Sequence, residues 1–167
     1  MGKKSNTGKN FENEIRRSLK SSRHIWWFRI QDTNDINRFV KVAVAEKQPA
    51  DFFSVYRGRP IMIEAKTSRN LTSFPLYYGR GRAIAKHQIT AGEQLVRKGG
   101  ISLILIRREE FRNKKCYAIT PNQADYFYRK HGKKSVKWDW FEKNAYIVDR
   151  LKAPLRWNLH KLYEQVI

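Results

Sequence analysis

Asp51, Glu64 and Lys66 stand in the stretch ADFFSVYRGRPIMIEAK, residues 50–66, with apolar residues around them and Arg57-Gly58 between. Two apolar runs joined by a short glycine-containing turn read as a β-hairpin. If Arg57 and Gly58 form the turn, Tyr56 faces Arg59, and counting outward puts Asp51 directly opposite Glu64. Side chains so opposed have Cβ atoms about 4.5–5.5 Å apart, where like charges repel. Period-two alternation places Lys66 on the face of Glu64, and Ile61, Ile63 and Ala65 on the other. Two carboxylates beside an ammonium are tolerated when a divalent cation lies between them. Carboxylate oxygens with water positions left open suit Mg²⁺, with Mn²⁺ able to substitute. In such a site Asp51 and Glu64 are the metal ligands, and the metal polarises a phosphate and lowers the pKa of an attacking water. Lys66 holds that water or neutralises charge developing on the phosphate. The plainer alternative is a solvated sheet face whose acids and lysine pair as surface ions. The acid opposed across a tight turn favours the metal site.

The elements that must position these residues belong to a chain of 167 residues, enough for one domain with a sizeable core and too few for two. Thirty-five Lys and Arg against 15 Asp and Glu leave a formal charge of +20. A folded domain so basic repels itself without a polyanion, which makes nucleic acid the expected partner. No apolar run approaches the length of a membrane span, and MGKKSNTGKN lacks the apolar core of a signal peptide. Asn6 stands where a myristoylation site wants Ser or Thr. With a single cysteine, Cys116, neither an internal disulfide nor a cysteine zinc site is expected. The four histidines, 24, 87, 131 and 160, show no zinc spacing. A cytoplasmic, reducing compartment without membrane association fits this pattern.

Residues 1–9 read as a flexible basic arm. Phe11, Ile15 and Leu19 then recur at helical spacing, and HIWWFRI reads as a strand. On that strand one of Trp26 and Trp27 faces the core, and the other is left for base stacking or, more simply, dimer packing. Residues 31–49 show no settled period. Strands follow at about 51–56 and 60–66. A long polar loop, TSRNLTSFPLYYGRGR, leads to a helix near 83–98 with Ile84, Gln88, Ala91 and Leu95 on one side, ended by Gly99-Gly100. ISLILI is a strand buried on both faces, KCYAIT its hairpin partner, and Pro121 opens another helix. A last helix begins near 157. The expected fold is mixed α/β, one domain over 1–167.

Asp51 followed thirteen residues later by Glu64-Ala65-Lys66 resembles the PD-(D/E)xK nuclease signature, with Pro49 supplying its proline. More specifically, the chain resembles the RecU-type Holliday junction resolvases of bacteria and phages. TGKNFENEI is similar to their N-terminal helix, with Glu12 at the family's functional acid; its neighbour Glu14 reads as an ordinary helix acid. EAKTSRNLTSFPL, KHQI, GKKSV and APLR are similar to later family stretches. The resemblance implies a restriction-endonuclease-like fold, a mixed central sheet flanked by helices, in which residues 31–49 project as a stalk. It implies a Mg²⁺-dependent endodeoxyribonuclease that resolves four-way DNA junctions by paired nicks as a homodimer. By resemblance, Gln88 helps bind the metal or its water and Glu12 acts behind the metal or on the water. Two departures stand out. Pro49 occupies the place where the family often has a threonine, and the loop between Lys66 and Gln88 is longer here.

The basic residues expected to meet DNA are Lys9, Arg29, Arg38, Lys41, Lys47, Arg69, Arg80, Arg82 and His87. YYGRGR, carrying Arg80 and Arg82, reads equally as a phosphate-gripping loop or as a basic surface loop. Two other functions stay open on sequence: a related nuclease acting on flaps, ends or duplex DNA, and a basic nucleic-acid-binding protein whose acids are structural.

Overall fold

A computed structural model describes residues 7–30, 47–110, 113–130, 133–152 and 156–167. Helix α1 (Thr7–Ser21) fully buries Phe11, Ile15 and Leu19, the expected stripe. Because the helix opens at Thr7, Lys9 lies in its first turn instead of in a loose arm. The chain returns through β1 (Trp26–Arg29), β2 (Phe52–Tyr56) and β3 (Arg59–Ser68), which pair antiparallel in that order. Arg57 and Gly58 both take positive φ, 48° and 76°. A two-residue type I′ turn needs that pair of conformations, and its twist matches the strands it joins. The turn fixes the register from Tyr56–Arg59 outward to Phe52–Ile63.

Three short strands occupy what reads as a loop in the sequence: β4 (Ser73–Pro75), β5 (Tyr77–Tyr78) and β6 (Gly81–Arg82). Helix α2 (Lys86–Arg97) then crosses over the sheet to β7 (Ile101–Arg108), which runs parallel to β3. The helix ends at Arg97, and Gly99, at φ 85°, turns the chain away beyond it. The buried side of α2 is Ile89 and Gly92, rotated from the expected Ala91 and Leu95 face. Gly92 explains the rotation: a Cβ there would come within 2.5 Å of Ser102 Oγ, so only glycine lets the helix approach so closely.

Strand β8 (Lys115–Ile119) pairs with β7. Helix α3 (Pro121–Arg129) begins with proline at its first turn, and a reciprocal capping box of Thr120 and Gln123 satisfies its first amides. The chain continues through β9 (Ser135–Lys137), α4 (Trp138–Asn144), β10 (Tyr146–Val148), β11 (Arg150–Leu151) and β12 (Arg156–Trp157) to α5 (Leu159–Val166). The six-stranded sheet has the order β1-β2-β3-β7-β8-β10. It is mixed and flanked by helices on both faces, as expected. The proposed stalk lies outside the described residues except at its last positions. Among the described residues no helix is long and apolar enough to cross a membrane.

Strand β7 serves both faces. Leu103 and Leu105 join α1 and α5 in one core cluster, and Ile104 and Ile106 join α2, α3 and α4 in the other. Glu14 shares the buried side of α1 with Phe11, Ile15 and Ser18, so it is not the solvated acid its composition suggests. Arg107, fully buried at the end of β7, forms ion pairs with Glu14 and Glu109, donates to the Thr7 carbonyl (3.2 Å), and lies 4.8 Å from the centre of the Phe11 ring. Glu14 also accepts from Trp157 Nε1 (3.1 Å). One guanidinium therefore ties the first turn of α1 to the sheet. Breaking a buried ion pair from one side strands the other charge, at about 3–5 kcal/mol. Arg107→Ala should lower the unfolding free energy by about that amount in urea titrations. Arg107→Met combined with Glu14→Gln should recover a large part of the loss.

Candidate active site

Asp51 stands immediately before the last hairpin pair, Phe52–Ile63, close enough for its charge to act on Glu64. Three backbone-linked contacts pin it there. Its amide donates to Ile63 O (3.1 Å), its carbonyl accepts from Ile30 N (2.9 Å), and its Oδ2 accepts from Ala65 N (2.7 Å). The carboxylate is thus fixed against β3, between Glu64 and Lys66 in sequence.

Glu64 is 6% exposed. Its neighbour across the parallel pair is Ile104, and that of Lys66 is Ile106, so apolar side chains replace water around the carboxyl. Burial first, and the Asp51 charge second, push the Glu64 pKa up to about 7, although Lys66 and Gln88 favour its charged form. Lys66 Nζ lies 2.7 Å from Glu64 Oε1. Glu64 Oε2 is buried with no hydrogen-bond partner. A buried carboxylate oxygen left in that state is costly, and it is an atom a cation would satisfy.

Glu12 reaches the same cluster from α1. Burial, and then the Asp51 charge, raise its pKa, while Arg29, Lys9 and Lys66 oppose the rise. Its Oε2 holds Arg29 Nη2 at 2.6 Å. Gln88 is brought to Glu64 by the first turn of α2, and its Oε1 accepts from Ala85 N (3.0 Å), closing that helix's capping box. The five residues expected to be catalytic, Glu12, Asp51, Glu64, Lys66 and Gln88, are therefore brought together. Among the described residues no group of three or more His, Cys, Asp or Glu converges in metal-ligand geometry. Asp51 and Glu64 are a pair, the number of carboxylates that Mg²⁺ commonly takes when water and phosphate complete its shell. The donor set fits a hard divalent cation.

One cavity borders this cluster and another runs along α2. The first, of about 700 Å³, is lined by Thr7, Gly8, Lys66, Thr67, Arg69 and Tyr78, among others. The second, of about 720 Å³, is lined by Lys47, Arg82, Lys86 and His87, among others. The expected DNA contacts divide between them. Arg69 joins Lys66, whereas Lys47, Arg82 and His87 share the α2 groove, and Arg80 is exposed between β5 and β6. Lys9 and Arg29 stand beside Glu12, and Arg38 and Lys41 lie outside the described residues. The sequence reading missed Arg107, Glu14, Lys86 and Tyr128. Glu14 alone carried a signal, because it stands three residues after Phe11 on the apolar stripe.

Glu64 binds its proton more tightly in the folded chain, with a pKa of about 7, than at the ordinary 4.5 of an exposed glutamate. Between those values the folded state holds the extra proton, so stability falls as pH rises through that window. At about 1.4 kcal/mol per pH unit the full loss is about 3 kcal/mol. In the absence of divalent ions, Glu64→Gln should therefore be about 2–3 kcal/mol more stable than the wild type at pH 8 and nearly equal to it at pH 4.5. Urea titrations at the two pH values measure this. A difference independent of pH would contradict the burial of charge at Glu64.

The model of the family described as Recombination protein U matches residues 6–162. The Holliday junction resolvase RecU of Bacillus subtilis is 30% identical over 112 residues, covering 65% of this chain and 50% of that protein. The RecU of a Geobacillus species is 35% identical over 89 residues, covering 52% and 41%. The RecU of Streptococcus mutans is 29% identical over 113 residues, covering 67% and 54%. The chain spans about half the length of these curated relatives. Among solved structures it is similar to Hjc, a Holliday junction resolvase of Archaeoglobus fulgidus, with a TM-score of 0.47 and 11% identity, covering 80% of this chain and 89% of that one. With its match running from the start of α1 into α5, the chain belongs to the Recombination protein U family.

Proposed function

We propose that this protein is a divalent-metal-dependent endonuclease that cuts DNA four-way junctions, acting as a homodimer. The observation that carries the reading is Glu64 Oε2, buried without a partner and close to Asp51. Such an arrangement is costly for a sheet alone and useful to a cation. Mg²⁺ is the ion the donor set suits best, and Mn²⁺ is a workable substitute. When bound, it supplies charge to polarise the scissile phosphate and acidify a water.

The chain's own residues do the rest. Asp51 and Glu64 would hold the ion, with the Gln88 amide nearby. Lys66 Nζ, 2.7 Å from Glu64 Oε1, would donate to the attacking water or to a phosphate oxygen that gains charge. Glu12 would accept the proton leaving the water, a task its raised pKa suits, with Arg29 holding its carboxylate in place. Arg69, in the same cavity as Lys66, holds the backbone beside the cut.

A junction offers two equivalent strands, and two active sites related by a twofold axis would cut them symmetrically. Trp26 and Phe28, 61% and 44% exposed on edge strand β1, supply an apolar row suited to such pairing.

Asp51→Asn or Glu64→Gln should abolish Mg²⁺-dependent cleavage of a synthetic four-way junction and leave binding intact or tighter, because negative charge near phosphate is removed. EDTA should stop the wild type in the same way. Loss of binding together with cleavage, in a folded variant, would make the acids structural. Binding should weaken steeply with salt, by a slope of about −0.9 in log K per phosphate neutralised. A flap or a plain duplex cut faster than the junction would move the substrate to a related nuclease class.

A further inference from the structure

Among the described residues the two cavities share no lining residue, and a short hairpin contributes to both. Strands β5 and β6 pair Tyr77 with Arg82 and Tyr78 with Gly81. Tyr78 lines the cavity that contains Lys66, and Gly81 and Arg82 line the α2 groove. The tip, Gly79-Arg80, is exposed, and Gly79 has φ 60°, which favours glycine.

The hairpin is braced from behind. Tyr128 on α3 donates to Leu76 O (3.1 Å) and accepts from Ile84 N (3.0 Å), gripping both ends of the segment. Its ring meets that of Tyr77 at right angles, with centroids 5.7 Å apart, and carries the guanidinium of Arg82 at 4.5 Å. Ala83 N donates to Leu76 O (2.8 Å) below the strands. Tyr78 OH reaches Thr67 O (3.3 Å), one residue from Lys66, yet the residue stays 55% exposed. An aromatic side chain held half in solvent, on a rigid support at the wall of a basic cavity, has little to do for the fold.

We infer that this hairpin is a wedge at the branch point of the DNA. Resting on the reading of the substrate as branched DNA, it assigns one diverging strand to each cavity. Tyr78 stacks against the base next to the scissile phosphate on the Lys66 side. On the other side, Arg82 and Lys86 in the α2 groove hold the phosphates of the departing strand. Stacking of this kind is tolerant of sequence because every base presents a π face, so the wedge reads the shape of a branch.

The test uses the full chain in EDTA, where cleavage is off, on a junction carrying 5-iodouracil either at the branch or in mid-arm. Irradiation should crosslink the branch label, and not the arm label, to the peptide containing Tyr78. Tyr78→Ala should lose the crosslink and bind the junction about tenfold more weakly, with duplex affinity changed less than twofold; Tyr78→Phe should behave as wild type in binding. Lys86→Gln should reduce the salt slope of junction binding by about 0.9. A branch crosslink mapping elsewhere, a Tyr78→Ala variant with unchanged junction preference, or an unchanged slope in Lys86→Gln would overturn the wedge while wild-type junction cleavage in Mg²⁺ left the nuclease reading standing. A wild type with no preference for the junction over duplex would overturn both.

Discussion

Two carboxylates are held close together at the end of a hairpin whose register leaves them no alternative. The positive φ angles of Arg57 and Gly58 set the pairing at one end, and the contacts of Asp51 with Ile30, Ile63 and Ala65 lock it at the other. A slip of one residue would move Glu64 and Lys66 to the α1 face and drive Ile61 and Ile63 out of the core cluster they share with Phe11 and Ile15. The apolar pattern that stabilises the sheet is therefore what forces the like charges together. The cost is concentrated on Glu64, whose carboxyl is buried beside Ile104 and raised to about 7. Core packing on both faces of β7 offsets it. The rest of the site hangs from the same sheet: Arg107 seats α1 and with it Glu12, and Gly92 lets α2 come close enough to bring Gln88 to Glu64.

What could be read from the sequence was local or periodic. The turn dipeptide gave the hairpin register, and with it the closeness of Asp51 to Glu64, by counting; helical spacing gave the buried side of α1, and an unbroken apolar run gave β7. What escaped needed partners distant in the chain. Strand β4 pairs with β9, some sixty residues later, and is too short for its own pattern to show. Glu14 meets both Arg107 and Trp157, residues 93 and 143 positions further along, so no local spacing could join them. The side of α2 that faces the sheet followed from a missing Cβ at Gly92, which outweighed the apolar spacing of Ala91 and Leu95. Tyr128 had no signal at all, since its role is to receive the ends of a hairpin more than forty residues earlier.

The protein is strongly basic while its site gathers carboxylates, and the contrast is functional in the proposed mechanism. The formal +20 draws a polyanion from a distance. At the centre Glu12, Asp51 and Glu64 gather negative charge that would repel phosphate by itself. A divalent cation reconciles the two, which makes metal binding the hinge of the whole account. Because a ligating carboxyl must lose its proton, binding near pH 6 should release close to one proton from Glu64.

Calorimetric titration of the DNA-free protein with Mn²⁺ at pH 6, repeated in buffers of different ionisation enthalpy, measures binding and proton release together. One saturable site is expected in the wild type, with release of close to one proton, and loss of that site in both Asp51→Asn and Glu64→Gln. Equal binding by the wild type and the two variants, or a wild type that binds no Mn²⁺, would contradict that expectation.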